Sequence, residues 1–386
     1  MSHTQSIQTS GLAAAFQVPA LLAAVLLVGA NAFVLSPILT EVALGLATRP
    51  SRVALAISAF GAATAVSALF LSAFIDRRPA GHVLGAAALL LALAQASSML
   101  SQNWQWLCLS QAVAGVAVGV LLPGTYATAA ATAPKGRAPA RIGMVLTGWA
   151  LSLVLVVPVA AYVAEHLGWR AVYALLAGLS ALVAACLLAT LRRVRSGQAL
   201  RSSPIIALKL PGVASLLMVM FAFMTAFYGS FAFFGEGVRA AFSLTAHGTG
   251  MFVLAYGMGF GLAGVGLSLA APRMSRGYIV GVLLTVAAVY IAFRPALATS
   301  PAALTVTFVW GVFNQLALNA FVVSLNQRAA EARGAVMGLS SAVTYAAVFA
   351  GPVVMSPLYA AFGFAAVATL AAAFVLAGAL ISWRAP

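Results

Sequence analysis

Acidic residues are almost missing from this chain: Asp and Glu together number 5 in 386 residues, and charged side chains make up 6%. A water-soluble domain carries about a quarter of its residues as charges to solvate its surface. Most of this chain therefore has lipid as its solvent. Histidine is also scarce, and His3, His82, His166 and His247 sit in loops or near the start without forming a metal pair. With no cluster of His, Asp, Glu, Ser or Cys at reactive spacing inside the apolar runs, a membrane-embedded enzyme falls far behind other readings, and no metal or cofactor is called for. The only cysteines, Cys108 and Cys186, lie in apolar runs and read as small buried hydrophobes. No Walker-type loop occurs. The run Gly257, Gly259, Gly261, Gly264 and Gly266 lacks the strand–turn–helix setting a phosphate loop needs. The stretch Met1 to Ser10 has no basic region of a cleavable signal, and the first apolar run ends in Ser36-Pro37 rather than a cleavage site.

What is present is hydrophobicity, 63% of residues, in long runs. One helical span of a bilayer takes roughly 20 apolar residues, and the sequence divides into twelve such runs. The first six are Val18–Pro37, Val53–Ile75, Val83–Leu100, Trp106–Ala129, Ile142–Ala164 and Ala171–Leu191. The second six are Val213–Phe234, Gly248–Ala271, Gly277–Phe293, Ala302–Leu325, Ala335–Leu358 and Phe364–Trp383. The fold class is thus an all-α integral membrane protein. The basic stretch 191–212, bounded inside by Pro204 and Pro211, is a linker between six-helix halves at 1–190 and 213–386.

An even number of spans puts both termini on one side. Of the 20 Lys and Arg, five (Arg49, Arg52, Arg170, Arg239 and Arg294) fall in loops of the opposite side, leaving 20 − 5 = 15 on the side of the termini. Basic loops stay in the cytoplasm, so both termini are placed there. The net charge of +15 has this topological origin, and nucleic acid is not a partner; membrane lipid is.

The halves resemble one another. An offset of 196 sets Phe60-Gly61 over Tyr256-Gly257 and Arg77 over Arg273; an offset of 195 sets Leu167-Gly168-Trp169 over Phe362-Gly363-Phe364.

The loop after the second span, Ser72-Ala73-Phe74-Ile75-Asp76-Arg77-Arg78-Pro79-Ala80-Gly81-His82, resembles the signature loop G-x-L-a-D-R-x-G-R-[RK] of the major facilitator superfamily. Asp76 and Arg77 match, whereas Ser72 and Pro79 replace glycines. Gly168-Trp169-Arg170 followed by Ala171-Val172-Tyr173, and Asn31-Ala32-Phe33-Val34 before Pro37, are similar to the drug:proton antiporter-like, arabinose-efflux-like branch. The resemblance implies two six-helix halves rocking about a midplane site, and a monomer. It also implies that Asp76 caps the start of the eleventh span, where free N–H groups and the helix dipole favour an anion, with Arg333 nearby. Asp76, Arg77 and Arg333 thus form the expected cytoplasmic gate.

The sequence departs from that branch where charge is expected. Asn31 stands where many relatives have an acid, Gln111 where the fourth-span motif has arginine, and Val157, before Pro158, where the fifth-span motif has glycine. An amide cannot cycle between charged and neutral forms. Glu41 and Glu236, at near-equivalent outer ends of the first and seventh spans, are the remaining candidates for a proton site; their alternative role is as water-exposed anchors at the interface. Polar side chains inside spans are costly and face the protein interior or a wet cavity. On this ground Asn31, Gln111, Asn314, Gln315 and Asn319, with Trp149, Tyr228, Tyr256 and Tyr345, form the expected substrate cavity; interhelical hydrogen bonding is the alternative role for the amides. The implied spans one, two, four, five, seven, eight, ten and eleven hold all of them. Gln95, in the third span, is read as helix-to-helix glue, and the pairs Gly115/Gly119 and Gly257/Gly261 as close-packing positions.

These features predict a secondary transporter in a bacterial inner membrane that moves a small neutral or weakly anionic organic solute, with efflux favoured and a proton as candidate co-substrate. An uncoupled facilitator or uptake permease is the alternative. A non-transporting sensor on the same scaffold is the reading from another class.

Overall fold

The structure, a computed structural model, describes residues 11–70, 78–134, 136–192, 194, 208, 210–270, 272–328 and 333–384. The first half comprises α1 (Gly11–Phe33), two short helices α2 (Leu39–Gly45) and α3 (Pro50–Val53), α4 (Leu55–Phe70), α5 (Ala80–Met99) and α6 (Trp104–Ala131). It continues through α7 (Ala138–Leu151), a π-helical turn at Ser152–Val156, α8 (Val157–Leu167) and α9 (Trp169–Leu191). The second half comprises α10 (Val213–Phe242), α11 (Ala246–Leu269), α12 (Arg276–Ala296), α13 (Ser300–Arg328) and α14 (Arg333–Arg384).

Eleven helical stretches are long and apolar enough to cross a bilayer. The last of them, Val336–Arg384, has 49 residues. At about 1.5 Å per residue it is more than twice as long as a ~30 Å hydrocarbon core. It is two helices meeting at Gly363, whose φ of 72° and ψ of −170° break the helical path. The twelve spans read from the sequence are thereby accounted for. Gly168, between α8 and α9, has φ 85° and ψ 157°. The two glycines that the 195-residue offset pairs thus make the same joint in the same rare backbone region, one open essentially to glycine alone. The internal repeat extends from sequence to backbone.

Inside each half, polar side chains and small residues hold helices together, as expected where lipid supplies no hydrophobic drive between helices. A Cβ at Gly115 of α6 would strike the carbonyl oxygen of Phe60 on α4, and one at Gly311 of α13 that of Tyr256 on α11. Arg170 stacks its guanidinium 4.3 Å over the Trp169 ring and donates to the carbonyl of Ser101 at 3.0 Å, tying the start of α9 to the α5–α6 turn. The second half is built around Trp310, which is ringed edge-on by Tyr256, Tyr290, Phe227, Phe234 and Phe293 at centroid distances of 4.9–5.7 Å.

The bundle has two ends, one carrying α2 and one carrying the connection between the halves; we refer to them as the α2 end and the linker end. Arg49, Arg52, Arg170, Arg239 and Arg294 lie toward the α2 end, and Arg78, Arg137, Arg141, Arg192, Arg273, Arg276, Arg328 and Arg384 toward the linker end.

Candidate functional site

Helices α1, α4, α7–α8, α10, α11 and α14 form the seam between the halves, and the contacts across it differ between the two ends. At the α2 end, Ser36 donates to the carbonyl of Phe231, and Thr40 donates to Glu236 at 2.6 Å. One residue further, Glu41 pairs with Arg239 at 2.7 Å, both side chains about one-fifth exposed. The backbone N–H of His247, in the first turn of α11, donates to Glu165 of α8 at 2.8 Å, and Ser356 of α14 donates to the carbonyl of Ser51 at 2.9 Å. Toward the middle, small residues replace polar contacts. A Cβ on Gly61 would lie 2.7 Å from the Phe349 nitrogen, and one on Gly257 2.8 Å from the Leu153 Cβ. Toward the linker end the glycines on the seam helices, Gly143, Gly266 and Gly338, have open space around them. Among the described residues, the hydrogen bonds between halves gather at the α2 end.

On the linker side of this closure lies a cluster of aromatic side chains drawn from both halves. Trp149 donates its indole N–H to the Tyr126 hydroxyl at 2.9 Å, and its ring meets Phe33 edge-on at 5.9 Å. Phe33 stacks on Tyr228 of the other half at 6.3 Å with planes only 6° apart, and Phe60 meets Tyr345 at 6.3 Å. Tyr126, Tyr228 and Tyr345 lie within electrostatic range of one another. The Tyr345 hydroxyl is buried without a hydrogen-bond partner among the described residues. Leaving such a group unpaired costs about 1–3 kcal/mol, which makes Tyr345 a polar point within an otherwise apolar cluster.

Of the cavity residues expected from sequence, Trp149, Tyr228 and Tyr345 are brought together here. Tyr256 sits behind them in the second-half core, 5.7 Å from Phe227 in a stacked arrangement, and accepts from Asn314 at 3.1 Å. Gln315 is half-buried, and among the described residues its carbonyl oxygen, like that of Asn314, has no hydrogen-bond partner. Asn319 lies one turn further toward the linker end, half-buried. Asn31 and Gln111 are placed apart from the cluster's phenols: Asn31 donates to Gln111 at 3.2 Å and accepts from Gln95, while Gln111 donates to Ser98 at 3.1 Å. This network joins α1, α5 and α6 within one half, and Gln95, read as glue, is its third member.

Glu41 and Glu236 both lie at the α2 end, and Glu236 is more deeply placed than its alternative role as an interface anchor requires. The seventh span does not end at Phe234; α10 continues to Phe242, so Glu236 lies inside it and is only 7% exposed. It is not a water-exposed anchor. Glu41 is held by Arg239 rather than free. Asp76 and Arg77 lie outside the described residues, as does the side chain of Arg333, whose backbone opens α14. Phe33, Tyr126, Thr40 and Arg239 are structural members of the site that the sequence did not single out. Only Phe33 carried a signal, as part of Asn31-Ala32-Phe33-Val34.

The π turn adds a local feature. Pro158 has no N–H to return to Val154, and the preceding residue, Val157, donates instead to Ser152, five residues back. The turn widens and sets Leu153 against Gly257 across the seam. π turns of this kind recur at functional positions in helices.

Comparison with known proteins agrees with this architecture. The family profile described as Major Facilitator Superfamily matches residues 21–352. The chain is 28% identical over 363 residues to the uncharacterized MFS-type transporter YwfA of Bacillus subtilis (strain 168), covering 92% of this chain and 88% of that protein. Among solved structures, it superimposes on a bacterial homologue of the human lysosomal transporter Spinster in an inward-facing, occupied conformation, with a TM-score of 0.77 and 14% identity over 96% of each chain. The unoccupied form of that homologue gives 0.75 over 97% of this chain and 99% of the other. The human organic anion transporter MFSD10 gives 0.65 at 15% identity over 96% and 99%.

Proposed function

The chain belongs to the major facilitator superfamily, and from that premise we propose that it exports a small neutral or weakly anionic organic solute across a bacterial inner membrane by alternating access. Both termini and the linker end face the cytoplasm in this reading, since the basic residues of the sequence gather there. One observation carries the proposal. Tyr126, Trp149, Tyr228 and Tyr345, from four helices and both halves, lie near one another on the linker side of the α2-end closure. Such a site offers flat apolar rings with hydroxyl tips and no described carboxylate, which suits an uncharged or weakly anionic solute and disfavours a polycation. Export is the direction favoured by the resemblance of Asn31-Ala32-Phe33-Val34 and Gly168-Trp169-Arg170 to the efflux branch.

A facilitator without proton coupling is the second reading. It is favoured by the engagement of Asn31 with Gln95 and Gln111 and of Glu41 with Arg239, which leaves Glu236 as the acid to test. The deciding experiment is flux into proteoliposomes from a panel of sugars, organic acids and lipophilic neutral compounds, with a pH dye inside. The expected result is movement of at least one neutral or weakly acidic compound, reduced at least tenfold in Tyr228→Ala and less in Tyr228→Phe. A proton signal that tracks the solute and vanishes in Glu236→Gln establishes coupling; solute movement with no proton signal establishes the facilitator. Saturable binding of a panel compound with no movement would sink the transport reading in favour of a sensor.

A further inference from the structure

A polar cavity lies away from the seam, at the linker end of the second half. It encloses about 90 Å3 between the start of α10, the start of α12 and the ends of α13 and α14. Arg276 and Arg328 line it together with Ser215, Ser275, Ser324 and Ser382, and among the described residues no carboxylate does. Each guanidinium makes one backbone contact. Arg328 donates one N–H to the carbonyl of Gly212 at 2.8 Å, and Arg276 donates one to the carbonyl of Trp383 at 3.4 Å. A guanidinium has five N–H donors, so each keeps several others.

Three further features give the cavity the character of an anion site. Ser275 caps the 21-residue helix α12 by accepting from the Tyr278 N–H at 3.1 Å, which brings the positive end of that helix to the wall. Ser324 and Ser382 also line the cavity, are only 6% and 9% exposed, and are without a hydrogen-bond partner among the described residues. Two cations, two unpartnered hydroxyls on the cavity wall and a helix N-terminus, with no described acid among the lining residues, match a tetrahedral oxyanion. The cavity sits on the outside of the bundle at the level of Trp383, which is 63% exposed at the end of α14, the depth at which lipid headgroups lie.

We propose that this cavity binds a phosphate group, carried by an anionic phospholipid or by a free phosphate, through Arg276, Arg328, Ser324 and Ser382. The test uses the full chain in nanodiscs and follows thermal unfolding. Wild type is compared in phosphatidylcholine discs, in discs with one-third phosphatidylglycerol, and in phosphatidylcholine discs with millimolar inorganic phosphate. The same series is run on Ser324→Leu, which fills the cavity and leaves both arginines in place, and on Arg276→Gln/Arg328→Gln. The expected result is a Tm raised by several degrees with phosphatidylglycerol, a gain lost in both variants, together with one phosphatidylglycerol retained in native mass spectra of wild type alone. A gain with inorganic phosphate, again lost in Ser324→Leu, assigns the site to a free anion. No gain from either probe, or a gain of equal size in wild type and Ser324→Leu, overturns the proposal.

Discussion

Asn31 shows how little a single residue type says about its use. Its amide is shared between Gln95 of α5 and Gln111 of α6, so Asn31→Leu removes two interhelical hydrogen bonds at once. Such bonds in membrane proteins are worth about 0.6–2 kcal/mol each. We expect a Tm several degrees lower in detergent, with flux per folded molecule within about twofold of wild type. A tenfold loss of flux at unchanged Tm would instead place Asn31 on the solute path. The cost of amides inside apolar runs was legible in the sequence. Their partners were not, because Gln95 reaches Asn31, and Ser98 reaches Gln111, only through the way α5 rotates against α1 and α6. Glu236 was misplaced for a simpler reason: Phe234 ends the strongest apolar run, but Gly235-Glu236-Gly237 is carried inside α10 because Gly235 lets Ser36 approach and Gly237 accommodates Phe364. The ion pair of Glu41 with Arg239 joins positions 198 apart, a separation no local pattern announces.

At the scale of elements, run length and breakers located the helices well. All twelve spans read from the sequence correspond to helices, with ends moved by a few residues and, for α1 and α10, by more. The π turn was not legible, since Pro158 announces a disturbance but not which way the helix relieves it. It leads to a prediction. Pro158→Ala restores an N–H that Val154 can accept, so the turn can tighten to an ordinary α-helix and rotate Leu153 away from Gly257. We expect an unchanged or higher Tm together with flux reduced severalfold, because the seam contact that must form and release has lost its register. A fall in both Tm and flux would show that Pro158 serves packing only.

For the molecule as a whole, the closure at the α2 end holds three of the chain's five acids, Glu41, Glu165 and Glu236. Each contact is modest. An ion pair that keeps about one-fifth of its surface exposed contributes about 1 kcal/mol, and an anion at a helix start about as much. Removing two of them in Glu165→Ala/Arg239→Gln should therefore shift the balance toward opening at the α2 end by about tenfold. The check is a spin-label distance between cysteines at Ala47 and Ala298, with Cys108 and Cys186 replaced: the variant should gain a longer population, and an unchanged distribution would show that the seam is held by its apolar contacts. The basic bias of the linker end was plain in the sequence. The position of the closure was not, since it depends on which of two packings of the same halves the chain adopts.

The two glycine joints carry a consequence for how the protein is made. Gly168 separates α8 from α9, and Gly363 separates the two helices of α14, by a single residue each. A one-residue connection gives no slack, so during biogenesis neither helix of such a pair can settle in lipid while its partner waits in the insertion machinery. We expect each pair to enter the bilayer as a hairpin, the second such joint following the first by 195 residues.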